Sequence, residues 1–356
     1  MSVDLGRAAG VTPAGLHDLI RQQAGRNSAA PVIFSPRHTP LTYRRLWLLV
    51  NEVAEVLNSL GIGRNDRVAA VLPEGPEAAV ASLAIACAAT YAPINPAYGA
   101  GEFDRYFADL NPRALLVASG SSSAARHVAE TRNIPILELF APPEAYAGAF
   151  TIRGKRTDGP VQRGPAQPND VALVLYTSGT TGQQKLVSLT HKNICCSANN
   201  ICGVVKLVET DRCLSVMPLF HIHGLSAVFA SLVAGSGIVC TQNFSPSLFL
   251  EYLEEFHPTW YTAAPTIHRA ILETANLHPE VSRSSLRFIR SASSPMPQKL
   301  ISDLERVFDV PVIEAYGMTE AGPQIASNRL PPFQRREGSV GRSAGPEVAI
   351  ADEAGQ

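Results

Sequence analysis

The chain has 356 residues, 46% of them hydrophobic and 17% charged, with 30 basic side chains against 31 acidic ones. That length buries a large core, as two domains or as one large domain cut into lobes. The near-neutral balance excludes the basic footprint of a nucleic-acid binder, and no charge run marks an acidic tail or a polybasic membrane patch.

The opening segment MSVDLGRAAGVTP carries an acid and no apolar block, so it is not a signal peptide. A helix is predicted over 14–25, a strand over 31–34, and a helix over 42–60 with Leu46, Val50, Val53, Val56 and Leu57 on its apolar face. A strand (67–72), a helix (76–88), a strand (92–94), a polar helix near 101–111, a strand (114–118), a helix near 121–131 and a strand (135–139) follow. Apolar, non-alternating strands divided by helices imply an α/β fold with a parallel sheet covered on both faces. Residues 141–170 shift to Pro, Gly, Gln and charge and read as an excursion between layers. A second run has strands at 171–176, 213–217, 237–240, 258–262, 286–290 and 311–316, with Trp260 as core packing; 338–356 is Gly-rich and strand-like and reads as the start of a different β-type element.

Two apolar stretches, 78–94 and 225–240, are rich in Ala, Gly and Ser. Both fall short of the roughly 20 residues that span a bilayer, and they read as buried helix-to-strand segments, so no membrane span is expected. The six cysteines form no CxxC pair and no histidine cluster has zinc spacing, which excludes a disulfide framework and a zinc site. A reducing, cytoplasmic compartment is expected.

The strongest motif is TSGTTGQQK (177–185), which leaves an apolar strand. Gly179 and Gly182 let backbone N–H groups approach an anion, Thr177, Ser178, Thr180 and Thr181 add hydroxyl donors, and Lys185 adds positive charge. That is the composition of a polyphosphate cradle, and also of a flexible Ser/Thr/Gly surface loop. It is not a Walker A loop, because Gln184 and Leu186 stand where GxxxxGK[ST] needs Gly and Ser or Thr. Nor is GIGRND (61–66) a dinucleotide fingerprint, since the third glycine is missing and a strand follows. The second motif is EAYGMTE (314–320): Glu320 offers a hard carboxylate for Mg²⁺, Thr319 a hydroxyl for a phosphate oxygen, and Tyr316 a flat ring for a base. Aromatic-Gly turns of this composition are common in proteins that bind no nucleotide.

In this order and separation the two motifs resemble the adenylate-forming superfamily of acyl-CoA synthetases, adenylation domains of peptide synthetases and luciferases. LTYRRL (41–46), TYAPINPAY (90–98), PLFHIHGL (218–225), SASSP (291–295) and GSVGRSAGPE (338–347) match in the same order. The likeness runs from about 14 to 356 and is nearest to acyl-CoA synthetases of the oxalate–CoA ligase type, on PLFHIHGL, TWYTAAPTIH (259–268), LRFIRSASS (286–294) and EAYGMTE. It implies two packed, mostly parallel β-sheets flanked by helices, with the start of a β-barrel-like subdomain at the C-terminus. The whole of 1–356 would be an AMP-binding N-terminal domain. One α/β subdomain would comprise 14–55 with 206–330, a second 56–205, and an incomplete β subdomain 331–356. A Thr-Gly-Asp segment, a hinge and a mobile domain with a catalytic lysine would lie beyond, so this portion is expected to bind nucleotide weakly and turn over little.

By the same resemblance, Thr177–Lys185 hold the β- and γ-phosphates of ATP, Glu320 binds Mg²⁺, and Thr319 contacts the α-phosphate. Tyr316 and Gly317 meet adenine, Ala292 and Ser293 line its site, and His221 is a gate beside the reacting carboxylate. His223, Thr262, Ala264, Pro265, His268 and Met318 fall in the acyl pocket. Displacement at the α-phosphate needs charge neutralised more than covalent help, and the acid's own carboxylate is the nucleophile. The implied product is an acyl-adenylate with release of pyrophosphate, then transfer to coenzyme A or to the phosphopantetheine of an acyl carrier protein. The family has Pro at position 184 and Gly at 186; Gln184 and Leu186 leave Lys185 in place and bear on rate.

Amino-acid-activating members carry Asp where His221 stands, so an α-amino acid is disfavoured on charge. His223, with His268 and Arg290, suggests a polar or cationic lining suited to a small dicarboxylate such as oxalate. In plainer terms His268 reads as a surface or cap residue and Arg290 as the partner of a neighbouring acid. His17, His38, His127, His191, His257 and His278 read as structural or solvent-facing. The alternatives are aryl or medium-chain acyl adenylation for a carrier protein, and a non-catalytic nucleotide-binding relic.

Overall fold

A computed structural model describes residues 15–159, 161–178, 184–242, 244–278 and 284–352. The first half runs α1 (Leu16–Arg26), β1 (Pro31–Phe34), β2 (Leu41–Thr42), α2 (Tyr43–Ser59), β3 (Arg67–Val71), α3 (Pro76–Ala86), β4 (Thr90–Pro93), α4 (Ala100–Leu110), β5 (Ala114–Ala118), α5 (Ala124–Thr131), β6 (Ile136–Phe140) and β7 (Thr151–Gly154). There follow β8 (Val171–Ser178), β9 (Gln184–Thr190), α6 (His191–Val205), β10 (Arg212–Ser215), α7 (Ile222–Ala234), β11 (Gly237–Cys240), α8 (Pro246–Phe256) and β12 (Trp260–Ala263). The last part holds α9 (Pro265–Ala275), β13 (Phe288–Ser291), α10 (Gln298–Phe308), β14 (Val312–Gly317), β15 (Gln324–Ser327) and β16 (Arg342–Ser343).

Two sheets result. A nine-stranded sheet has the order β16-β15-β14-β13-β12-β10-β11-β1-β2, and a seven-stranded sheet the order β7-β6-β5-β3-β4-β8-β9. The inner strands of both are parallel, and antiparallel strands stand only at the edges. Period-2 alternation then sorts the side chains. Ile33, Cys213, Ile238, Trp260 and Phe288 point into one core, and their neighbours Phe34, Leu214, Val239, Tyr261 and Ile289 into another. The seven-stranded sheet does the same, with Val68, Ala70 and Leu116 against Ala69, Val71, Leu115 and Val117.

The shared core also contains α1, α2, α3, α6 and α7, so these helices form a middle layer between the sheets; α8–α10 cover one outer face and α4 and α5 the other. The expected pair of helix-flanked, mostly parallel sheets is therefore present. Helix α3 is buried almost all round, as its Ala-rich sequence suits. Helix α4 is less polar than it reads, because Phe103, Tyr106, Phe107 and Leu110 form a buried face. The excursion at 141–170 contains β7, which pairs antiparallel with β6 and buries Ile152. Strand β15 was also not expected; it folds back antiparallel on β14. Within 338–352 the β-type character amounts to β16, whose two residues pair antiparallel with β15.

Candidate functional site

Strands β10, β12, β13 and β14 lie side by side and parallel, so the loops at their C-terminal ends open along one edge of the sheet. Ligands of open α/β sheets bind outside such an edge. His221 is the N-cap residue of α7 after β10, Ala264 caps α9 after β12, Ala292 and Ser293 follow β13, and Tyr316 and Gly317 end β14. Met318, Thr319 and Glu320 continue into a 3-10 turn, Thr319–Ala321.

Tyr316 is 51% exposed and Met318 46%, so a large flat ring and a soft side chain stand bare at this edge. Gly317 has no substitute there: a Cβ would lie 1.7 Å from the Pro323 carbonyl oxygen. Glu320 is exposed and makes no hydrogen bond or ion pair among the described residues. The seven-stranded sheet closes the other side. Strand β9 packs against the 3-10 turn, and Thr177 and exposed Lys185 are directly opposed across the β8–β9 hairpin. Ser178 ends β8; Gly179, Thr180, Thr181 and Gly182 lie outside the described residues.

Behind the edge lies a buried polar chain. His223 Nδ1 is 2.8 Å from Ser293 Oγ, and its Nε2 is 2.7 Å from Thr262 Oγ1. Arg290 donates from one Nη to Thr262 Oγ1 (3.2 Å) and from the other to Gln324 Oε1 (2.8 Å). Thr262 and Arg290 are register partners on β12 and β13, which puts their side chains on one face. Burial holds the His223 pKa well below the ordinary value, with the Arg290 charge acting the same way. His221 is reachable from solvent, yet the walls around its ring lower its pKa too. Burial brings the Arg290 guanidinium down to about 10.

Two plain readings are corrected. Arg290 pairs with no acid among the described residues; its partners are a hydroxyl and a side-chain amide. His268 is neither surface nor cap, being fully buried in α9 with Nδ1 3.2 Å from Tyr261 Oη, and burial takes its pKa down to about 4. The Tyr261 ring belongs to the outer core, so His268 is buried on that side of the nine-stranded sheet. Trp260 is core packing, stacked on Phe288. His191 is structural as read, its Nδ1 accepting from Leu16 N–H.

The model of the family "AMP-binding enzyme" matches residues 20–356. The chain belongs to the AMP-binding enzyme family. It is 38% identical over 325 residues to an oxalate–CoA ligase of Arabidopsis thaliana, covering 89% of this chain and 63% of that protein. It is 38% identical over 344 residues to the probable CoA ligase CCL9 of Humulus lupulus, covering 95% of this chain and 66% of that protein. The chain thus spans just under two thirds of the length of these relatives. Among solved structures, apo MatB from Rhodopseudomonas palustris superposes with a TM-score of 0.81 at 25% identity, over 97% of this chain and 67% of that one. VinN shares the fold, with a TM-score of 0.80 at 22% identity over 96% of this chain and 84% of that one.

Within this AMP-binding fold, two site neighbours escaped the sequence reading. Glu74, in the turn between β3 and α3, accepts the Leu219 N–H at 3.0 and 3.2 Å, two residues before His221. Nothing in PEGPE (73–77) distinguishes it from an ordinary turn acid. Gln324 anchors Arg290 from β15, a strand whose sequence gave no signal.

Proposed function

We propose that the complete protein activates a small dicarboxylic acid such as oxalate as its acyl-adenylate, releases pyrophosphate, and passes the acyl group to a thiol, with coenzyme A favoured over a carrier protein. The observation that supports the substrate class is Arg290: a buried guanidinium with no carboxylate partner among the described residues, one hydroxyl behind His223. A buried cation without a counter-charge is costly, and an anionic substrate group in the adjoining pocket relieves that cost. Relatives named as oxalate–CoA ligases, and one named a sulfoacetate–CoA ligase at 30% identity, support an acid with a second anionic group.

In this reading Tyr316 stacks on adenine beside Gly317, Ala292 and the Ser293 main chain, which leaves the Ser293 hydroxyl to the acyl side. Lys185, Thr177 and the hairpin loop through Gly179, Thr180, Thr181 and Gly182 hold the β- and γ-phosphates, and Thr319 meets the α-phosphate. His221 stands over the reacting carboxylate, and His223, Thr262, Ala264, Pro265 and Met318 border the acyl group. The exposed Glu320 carboxylate, without an ion pair among the described residues, suits Mg²⁺, which takes one or two carboxylates and completes its shell with phosphate oxygens and water. A bound Mg²⁺ would neutralise phosphate charge as the bond to the α-phosphate breaks. We assign 14–55 with 206–330 to one subdomain, 56–205 to a second and 331–356 to the beginning of a third. The cysteines, all free, suit a reducing, cytoplasmic compartment.

The test is acid-dependent pyrophosphate exchange by the complete protein. Oxalate is expected to outcompete aryl and medium-chain acids, and the reverse order sinks the substrate. Lys185→Ala and Glu320→Ala should each lower exchange by about 100-fold, the scale of losing one electrostatic contact to the transition state. Wild-type rates in both variants would overturn the site.

A further inference from the structure

The hydrogen bonds behind the site have a direction, and it can be read from which groups are able to donate. Arginine only donates, so Thr262 Oγ1 accepts from Arg290. The Thr262 hydroxyl is buried and its one other partner among the described residues is His223 Nε2; its proton must go there, or remain without an acceptor. A neutral imidazole that accepts at Nε2 carries its proton on Nδ1, and so donates to Ser293 Oγ. Among the described residues the titratable groups acting on His223 are Arg290, His268 and His221, and with burial each favours the neutral ring. Ser293 itself is exposed with φ +82°, a left-handed conformation that costs a serine energy.

We propose that Arg290, Thr262, His223 and Ser293 form a one-way donor chain whose last hydroxyl, Ser293 Oγ–H, is aimed into the acyl pocket to bind an anionic oxygen of the acid. Each link polarises the next, and the buried guanidinium is the source of that polarity. The assignment rests on the proposed acid-activating role of the site and adds the atom that recognises the second carboxylate. Arg290 is then a positioning residue that acts through Thr262 and His223 without touching the acid.

Two measurements on the chain test it. Long-range ¹H–¹⁵N correlation spectra, with His223 assigned by the signal missing in His223→Gln, should show the neutral Nδ1–H tautomer at pH 7. An Nε2–H tautomer or an imidazolium overturns the chain whatever the substrate proves to be. Oxalate titrated against glyoxylate in the presence of ATP should lose about tenfold of its preference in Ser293→Ala and in Thr262→Val, the latter cutting the chain two links behind Ser293. Preferences within twofold of wild type overturn the recognition role. If the Nδ1–H tautomer is found but aryl acids bind in place of oxalate, the substrate reading fails and so does the anionic ligand assigned to Ser293, while the direction of the chain stands.

Discussion

Glu74 shows how one side chain ties the two sheets together at the site. It extends from the seven-stranded sheet and holds the Leu219 N–H of the loop that leads to His221. Burial raises its pKa and the Leu219 bond only partly opposes that. A raised carboxylate pKa means that the ionised form costs stability, a cost absent at low pH and complete once pH exceeds the folded-state value. Glu74→Gln keeps an acceptor for Leu219 and removes the charge, so its unfolding midpoint in urea at pH 7 should equal or exceed that of wild type. Glu74→Leu leaves the N–H without a partner; a loss of about 1–3 kcal/mol is expected, with pyrophosphate exchange down about tenfold as the His221 loop shifts. Equal behaviour of the two variants would refute the tie. Individual residues are also where the sequence was least legible. Arg290 inside an apolar strand announces only that it needs a partner, and its partners lie 28 and 34 residues away, a hydroxyl and an amide in place of the acid that charge alone suggests. His268 misleads because a histidine near a helix start looks solvated, whereas the turn after β12 rolls it under Tyr261.

Among elements, the β8–β9 hairpin carries the residues proposed to bind phosphate, and its stem is held by aromatic packing. Tyr176 donates from Oη to the Tyr106 carbonyl at 2.7 Å and meets the Tyr106 ring edge-on at 3.9 Å; Leu186 opposes Tyr176 and packs on the same outer core. The Leu186 side chain therefore braces the hairpin. Leu186→Gly removes a partly buried side chain and adds backbone freedom, and should cost about 2 kcal/mol in urea unfolding. It should also lower affinity for ATP as the stem loosens. A variant as stable as wild type would show that the leucine carries no packing. At this scale the sequence was far more informative. Strands covered on both faces leave contiguous apolar runs, which is why β3, β5, β8 and β13 were legible. β7, an edge strand, and β15, second from an edge, are short and of polar or mixed composition that also suits a loop, and β16 is only two residues long.

For the molecule as a whole, the five-layer arrangement buries histidines as neutral groups in separate layers, and stability should respond to pH accordingly. His191, in the middle layer, accepts the Leu16 N–H at 3.2 Å and joins α6 to the start of α1; His268 lies in the outer layer under Tyr261. Burial takes the pKa of each down to about 4, from 6.5 for a free imidazole. Below pH 6.5 the unfolded chain binds protons that the folded chain refuses. The stabilisation present above that value is therefore lost progressively as pH falls towards 4. Each histidine should account for about 2 kcal/mol between pH 7.5 and 5, and His223, depressed by the same burial, adds in the same direction. Asp170, held down at about 2 chiefly by its hydrogen bond from Arg64, titrates below this window and does not confuse the reading. Urea unfolding at both pH values should show the chain weaker at pH 5 by several kcal/mol. In His191→Gln, which retains an acceptor for Leu16, the pH-dependent part should shrink by about 2 kcal/mol even if the variant is less stable throughout. An unchanged slope in that variant would mean that His191 already carries a proton in the folded layer, and the packing of α6 on α1 would have to be redrawn around a charge.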